Sequence, residues 1–246
     1  MKKYLSLLIL LVISNIITAQ EFGLGFDLFN RYVWRGLDLG GKSPNIQPWA
    51  NVKFGNDNHS LTLGTWGAFS FAGTANDETD IYLNYSYKSC LNLLVTDYYF
   101  PGLNSGIKEN YFEWRPDSTG HVLEGTFSFT GTEKIPLTAL FAMNFYGNDA
   151  RKSNGDLFMS KYAEIGFKKN IKGTDFNLFV GAALDNPDEN AGEVGFYLNE
   201  KSGITNIGIK LTKSIEITDK FSLPVQCNLI TNPQLKKIYF TLGISL

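Results

Sequence analysis

The chain has 246 residues with 22 basic and 24 acidic side chains, a balance that offers no basic face to a nucleic-acid partner. Cys90 and Cys227 are its only cysteines and lie far apart, so no disulfide framework is present. The length allows one large β domain or two small domains.

At the N-terminus, Lys2 and Lys3 precede an apolar run from Tyr4 to Ile13 and then Ile17-Thr18-Ala19-Gln20. That is the order of parts in a secretory signal peptide, with cleavage predicted after Ala19. The run is too short to cross a bilayer, which takes roughly 20 residues. The first cysteine is Cys90, so no lipid-modified cysteine follows the cleavage site. Without Lys2 and Lys3 the mature chain, 20–246, has a net charge of −4. No later stretch resembles a transmembrane helix, so a mature protein that sits in a membrane does so through strands.

Beyond the leader the pattern has period two throughout. It predicts about twelve strands, over 22–36, 46–55, 60–71, 79–88, 90–100, 119–131, 135–147, 158–168, 174–184, 204–217, 221–231 and 236–246. Short turns at 55–58, 88–89, 132–133, 170–173 and 218–220 alternate with longer loops at 37–45, 72–78, 101–118, 148–157 and 185–203. Only the last outer connection, 232–235, is short. Such sorting, with strands near the roughly 9–11 residues that cross a bilayer when tilted, is the arrangement of a transmembrane barrel. The predicted fold class is therefore all-β: an antiparallel up-and-down β-barrel preceded by a cleaved signal peptide.

Side chains two apart on a strand share a face. In the last strand Ile238, Phe240, Leu242, Ile244 and Leu246 oppose Tyr239, Thr241, Gly243 and Ser245, a C-terminal strand like those that signal barrel assembly. In the first, Leu24, Phe26, Leu28, Tyr32 and Trp34 are expected toward lipid and Asp27, Arg31 and Arg35 toward a wet lumen, with Asn30 as the polar exception. A lysine or arginine facing lipid at the midplane costs about 2–4 kcal/mol, and the mid-strand charges fall on the less apolar face. A secreted sandwich would have no use for Tyr98, Tyr99, Phe100, Tyr111, Phe112 and Trp114 gathered at one strand end, whereas interfacial girdles do. Two features resist: Pro224 inside a strand removes a ladder bond, and the strand at 90–100 is apolar on both faces, which leaves the side of Asp97 open.

The stretches "NRYVWRGLDLGGKSPNIQPWANVKF", "LTLGTWGAFSF" and "ETDIYLNYSY", with "STGHVLEGTFSF" more weakly, resemble the TorF-like porin family of bacterial outer-membrane β-barrels over roughly residues 25–90. Trp34 stands where phenylalanine is commoner, and Leu246 where a terminal aromatic is usual. The resemblance implies a barrel and a pore, and brings no functional residues with it.

Twelve strands should leave a narrow opening, because about eight are filled by side chains and sixteen leave a channel. A passive channel for small solutes is the leading expectation, in a bacterial outer membrane, with lipid outside and the barrel assembly machinery engaging the C-terminal strand. The candidate pore-lining residues are Asp27, Arg31, Arg35, Lys53, Asp80, Glu124, Glu164, Lys168 and Lys210, and Arg31 and Arg35 are the candidates for anion preference. These charges could equally pair with one another and plug the barrel. An outer-membrane lipid hydrolase or protease needs a histidine beside a nucleophile or carboxylate. Only His59, at an inner turn, and His121 exist, and His121 has Glu124 and Ser128 on the opposite face of its strand, which leaves only a cross-strand partner. No catalytic residue, cofactor or metal site is assigned. A recognition barrel is the third reading, resting on the acidic loop 185–203, whose spacing fits no EF-hand. The loop 101–118 is long enough to fold into the lumen.

Overall fold

In the computed structural model, which describes residues 20–72, 77–101 and 110–246, the chain forms a closed antiparallel barrel of twelve strands. The expected signal peptide, 1–19, lies outside the described residues. In chain order the elements are β1 (Gln20–Phe29), the short β2 (Val33–Trp34) and β3 (Leu37–Asp38), then β4 (Asn45–Gly55), β5 (His59–Ser70), β6 (Glu78–Tyr87), β7 (Leu91–Tyr99) and β8 (His121–Phe129). After them come β9 (Leu137–Gly147), β10 (Lys161–Ile171), β11 (Thr174–Ala183), β12 (Gly203–Thr218), β13 (Phe221–Asn232) and β14 (Lys237–Ser245). Each barrel strand pairs with its sequence neighbours, and β1 pairs with β14 to close the sheet, while β2 and β3 form a separate hairpin. The short turns gather at one end, called inner here, and the longer connections, with the short 233–236 turn, at the other.

Exposure follows the parity of the sequence. Phe240 is 55% exposed and Thr241 2%, and Leu63, Leu83, Phe127, Ile165, Leu178 and Leu229 are exposed on neighbouring strands of the same outer surface. Closure matters because an unpaired backbone N–H or C=O in hydrocarbon costs several kcal/mol, and a barrel has no free edge along its paired length.

The seam is the shortest pairing in the wall. β1 and β14 match at Asp27↔Ser245, Leu28↔Ile244 and Phe29↔Gly243, while β1 and β4 match along all of β1, from Gln20↔Phe54 to Phe29↔Asn45. Phe26 and Leu246 lengthen the seam by exchanging two backbone bonds of 2.9 Å. Above it, Asn30 continues the ladder with its side chain: its Oδ1 accepts from the Leu242 N–H at 2.8 Å and its Nδ2 donates to the Phe240 carbonyl at 3.4 Å. Asn30, polar on an apolar face, is thus explained by the edge it completes. Pro224 is explained in the same way. β13 begins its pairing with β14 at Val225↔Ile244, so Pro224 lies where β13 has a partner on one side only, a place where proline is tolerated.

The first strand is shorter than the expected 22–36. The chain leaves the wall at Asn30 and turns into the lumen, so Tyr32 and Trp34 do not meet lipid. Tyr32 is buried, with its ring 5.4 Å from Trp66, and Trp34 packs edge-on against Tyr98 and Phe196 and tilted against Tyr197. Beyond Asn30 both parities are polar or bulky, and only the lumen offers partners to both: rings for the rings and a carboxylate for Arg35. Tyr98 and Phe100 likewise join an interior cluster with Val122, while Tyr99 lies on the outer surface against Tyr111, so only part of that aromatic group lies at an interface.

Candidate functional site

The hairpin β2–β3 turns through Arg35 and Gly36, whose φ values are 48° and 83°. Two positive φ values in succession match the twist of the flanking strands in a two-residue hairpin, but a left-handed residue that carries a Cβ costs about 1–3 kcal/mol. Gly36 meets the second requirement and a close approach as well, because a Cβ there would run into the Thr205 carbonyl on β12. The Asn232 side-chain amide donates to the Gly36 carbonyl at 3.2 Å. The tip is therefore fixed to the wall on the β12–β13 side and projects Arg35 across the lumen.

Arg35 ends in a cage. Its Nη1 donates to Glu124 Oε2 at 2.5 Å and its Nη2 to Glu124 Oε1 at 2.9 Å, a two-pronged pair, and Nη1 also donates to the Tyr197 hydroxyl at 2.8 Å. The guanidinium carbon lies 4.4 Å from the centre of the Trp34 ring, 4.7 Å from Tyr162 and 5.8 Å from Tyr197. Glu124 is wholly buried and also accepts from the Tyr98 hydroxyl at 3.1 Å and the Thr126 hydroxyl at 2.7 Å. A second carboxylate is linked to the cage through Tyr162: Glu164 accepts from the Tyr162 hydroxyl at 2.5 Å and from the Asn206 amide at 2.9 Å. Among the described residues no cation pairs with Glu164. Burial pushes the Tyr197 hydroxyl further up, so it stays a neutral phenol. Around the cage Leu37, Ala142, Tyr162, Ala183 and Tyr197 pack into one apolar cluster. The outer half of the lumen is filled by this cluster, the hairpin, and the segment carrying Phe196 and Tyr197.

The nine sequence candidates distribute along the lumen rather than forming one ring. Arg35 and Glu124 are joined in the plug, and Glu164 is linked to them through Tyr162, on whose ring Arg35 lies. Asp80 is buried on β6 close to Glu78, and the Tyr32 side chain lies close to both carboxyls. Asp27, Arg31 and Lys210 line a polar cavity of about 210 Å³ with Gln47, Gln226 and Asn228, and Arg31 pairs with Asp38 at 3.6 Å. Lys168 and Lys210 line a larger cavity of about 730 Å³ at the inner mouth, and Lys53 pairs with Glu21 at 3.1 Å near that end. Arg31 and Arg35, the candidates for anion preference, each have a carboxylate partner, Asp38 and Glu124.

Tyr162, Tyr197, Asn206 and Glu78 are missing from the sequence reading, and Trp34 and Tyr98 enter it only as a lipid-facing residue and a girdle aromatic, whereas both lie in the interior. Tyr162 stands two residues before Glu164 and Glu78 two before Asp80, so parity places both on the lumen face. Tyr197 is in a loop and leaves no periodic signal.

His121 has the cross-strand partner that the sequence left open. It lies on the outer surface of β8 with Nδ1 2.8 Å from Asp97 Oδ1 on β7 and Nε2 2.7 Å from the Tyr111 carbonyl. The Trp114 ring stacks on it with centroids 3.9 Å apart. Both ring nitrogens are engaged, which makes the pair a clasp for the segment 110–118. The described part of the loop 101–118 thus lies against the outside of β7 and β8, whereas the lumen receives the 30–44 segment. His59 bonds the Tyr85 hydroxyl at 2.7 Å near the inner turn. In the acidic loop, Asp185 accepts from the Lys161 backbone N–H and ammonium, and Glu193 from the backbone N–H groups of Ser153 and Asp188. These carboxylates serve to hold the loops together.

A closed barrel with an apolar exterior, a charged interior and connections sorted by length fits the architecture of outer-membrane β-barrels. Comparison with protein-family models and with curated proteins finds no match for the chain.

Proposed function

We propose that the protein is a bacterial outer-membrane channel for small hydrophilic solutes, held shut by its own 30–44 segment. The observation that carries this reading is where the obstruction comes from. The wall encloses polar cavities at Asp27, Arg31, Lys168 and Lys210, and the material that fills the outer half includes two connecting segments, 30–44 and the stretch around Tyr197, that belong to no wall strand. A connection held by an ion pair, a few side-chain hydrogen bonds and ring contacts moves at lower cost than a strand bonded on both edges. The resemblance to TorF-like porins favours the same reading, with lipid as the outer partner and β14 as the segment engaged by the assembly machinery. The clasped geometry of His121, with both nitrogens occupied, favours a channel over a hydrolase.

Planar-bilayer recordings test the proposal. The refolded wild type should show rare, small steps, and a variant with Val33–Asp38 replaced by a Gly-Ser linker should show frequent, larger ones. Silence from both proteins would overturn it.

A further inference from the structure

The geometry points to an organic cation bearing a guanidinium or primary ammonium group as the solute recognised in the lumen, with Arg35 occupying that solute's place in the resting state. This inference rests on the channel reading and names its cargo.

The cage is built by the wall and by one loop, not by the hairpin alone. Glu124 and Thr126 come from β8, Tyr98 from β7, Tyr162 and Glu164 from β10 and Asn206 from β12. A carboxylate fixed by two hydroxyl donors and flanked by aromatic faces binds guanidinium by paired charge-assisted bonds and by cation–π attraction. Arg35 satisfies every one of these contacts, but it arrives on a hairpin of two residue pairs whose turn holds it in a left-handed conformation. The site also holds more negative charge than Arg35 neutralises, since Glu164 is bonded only by neutral donors. A separate cavity of about 460 Å³ lies outside the plug, lined by Trp34, Phe100, Phe196 and Leu198, and its charged lining residues are Asp38 and Asp149. Asp38 is paired with Arg31, while among the described residues Asp149 is bonded only by the neutral Asn144 amide and Ser160 N–H, so Asp149 supplies the uncompensated negative charge by which this aromatic vestibule favours a cation over an anion.

A tethered arginine competes with free solute at an effective concentration on the millimolar scale for a short tether. Removing it should therefore strengthen binding of a free cation. Isothermal titration with methylguanidinium, on protein refolded in detergent, reads this without any need for conduction. Arg35→Ala should bind methylguanidinium saturably and at least tenfold more tightly than wild type, and Arg35→Ala with Glu124→Gln should lose the binding. Should Arg35→Ala fail to assemble, judged by heat-dependent gel migration, Arg35→Met keeps the packing of the stem and carries the same test. Equal affinity in wild type and variant, binding that survives Glu124→Gln, or no binding to the assembled variant would overturn the inference. A barrel that binds methylguanidinium in this pattern yet never conducts supports the cage and removes only the channel.

Discussion

The Arg35–Glu124 pair makes a quantitative demand on stability. Glu124 is wholly buried and accepts four bonds, two of them from the guanidinium. Replacing Arg35 by methionine keeps most of the stem's contact with Trp34 and Tyr162 but leaves a buried carboxylate with only the Tyr98 and Thr126 hydroxyls. Removing one partner of a buried pair costs about 3–5 kcal/mol, in line with the loss of two charge-assisted bonds at about 1.5–3 kcal/mol each. Glu124→Gln should cost a similar amount by stranding the guanidinium. The double variant joins two neutral side chains, so its cost should fall well short of the sum, with a coupling energy of about 3 kcal/mol or less, within the range seen for contacting residues. Urea unfolding of the four proteins in phospholipid vesicles, followed by tryptophan fluorescence, measures the cycle. Single variants that each cost under about 1 kcal/mol, or a double variant that costs the sum of the two, would refute the account of the plug as a desolvated ion pair.

Gly36→Ala should expel the hairpin tip, because the added methyl meets the Thr205 carbonyl and φ is 83°; the expected result is a larger open fraction in bilayer recordings with the barrel still assembled. Asn30→Ala leaves the Leu242 N–H without its acceptor at the seam, a loss of about 0.5–1.5 kcal/mol for one hydrogen bond, read as faster amide exchange at Leu242 while β9 and β10 stay protected. In the 110–118 segment the Arg115 guanidinium and backbone N–H hold the Glu113 carboxyl down at about 2. A depressed carboxyl stabilises its turn above its unfolded value and loses that effect as pH falls through the folded one, so the Glu113 resonance should titrate near pH 2 and return toward the ordinary range in Arg115→Gln.

Much of the architecture is legible in the residues because lipid and lumen impose opposite chemistries on alternate positions. Each of the twelve wall strands overlaps a stretch that period two marks, though the first stops at Phe29 instead of 36, and in β14 Ile238, Phe240 and Leu242 face out while Tyr239 and Thr241 face in. Parity is a local rule, however, and it is silent on whether a chain continues as a strand or leaves the wall. For 30–36 the alternation of rings and arginines reads as one more lipid-facing stretch, yet the same residues are satisfied better by Trp66, Tyr98 and Glu124 inside the barrel. The break comes at Asn30, whose side chain replaces the ladder it ends, and at the Arg35–Gly36 turn, which carries no Asn-Gly signal. Candidate charges are legible as inward-facing, but their pairing depends on strands far apart in sequence. Tyr197, which bonds Arg35 from a loop, has no periodic neighbour to reveal it.

The claim on which the plug, the cage and the cargo all depend is that Trp34 lies inside the barrel. A protein whose only tryptophan is Trp34, with Trp49, Trp66 and Trp114 replaced by phenylalanine, can be refolded into vesicles of brominated phosphatidylcholine, where contact with lipid tails quenches emission. The structure predicts emission close to that in unbrominated vesicles, with quenching restored when the single tryptophan is moved to Phe240; strong quenching of Trp34 itself would place 30–36 in the lipid-facing wall and contradict the account.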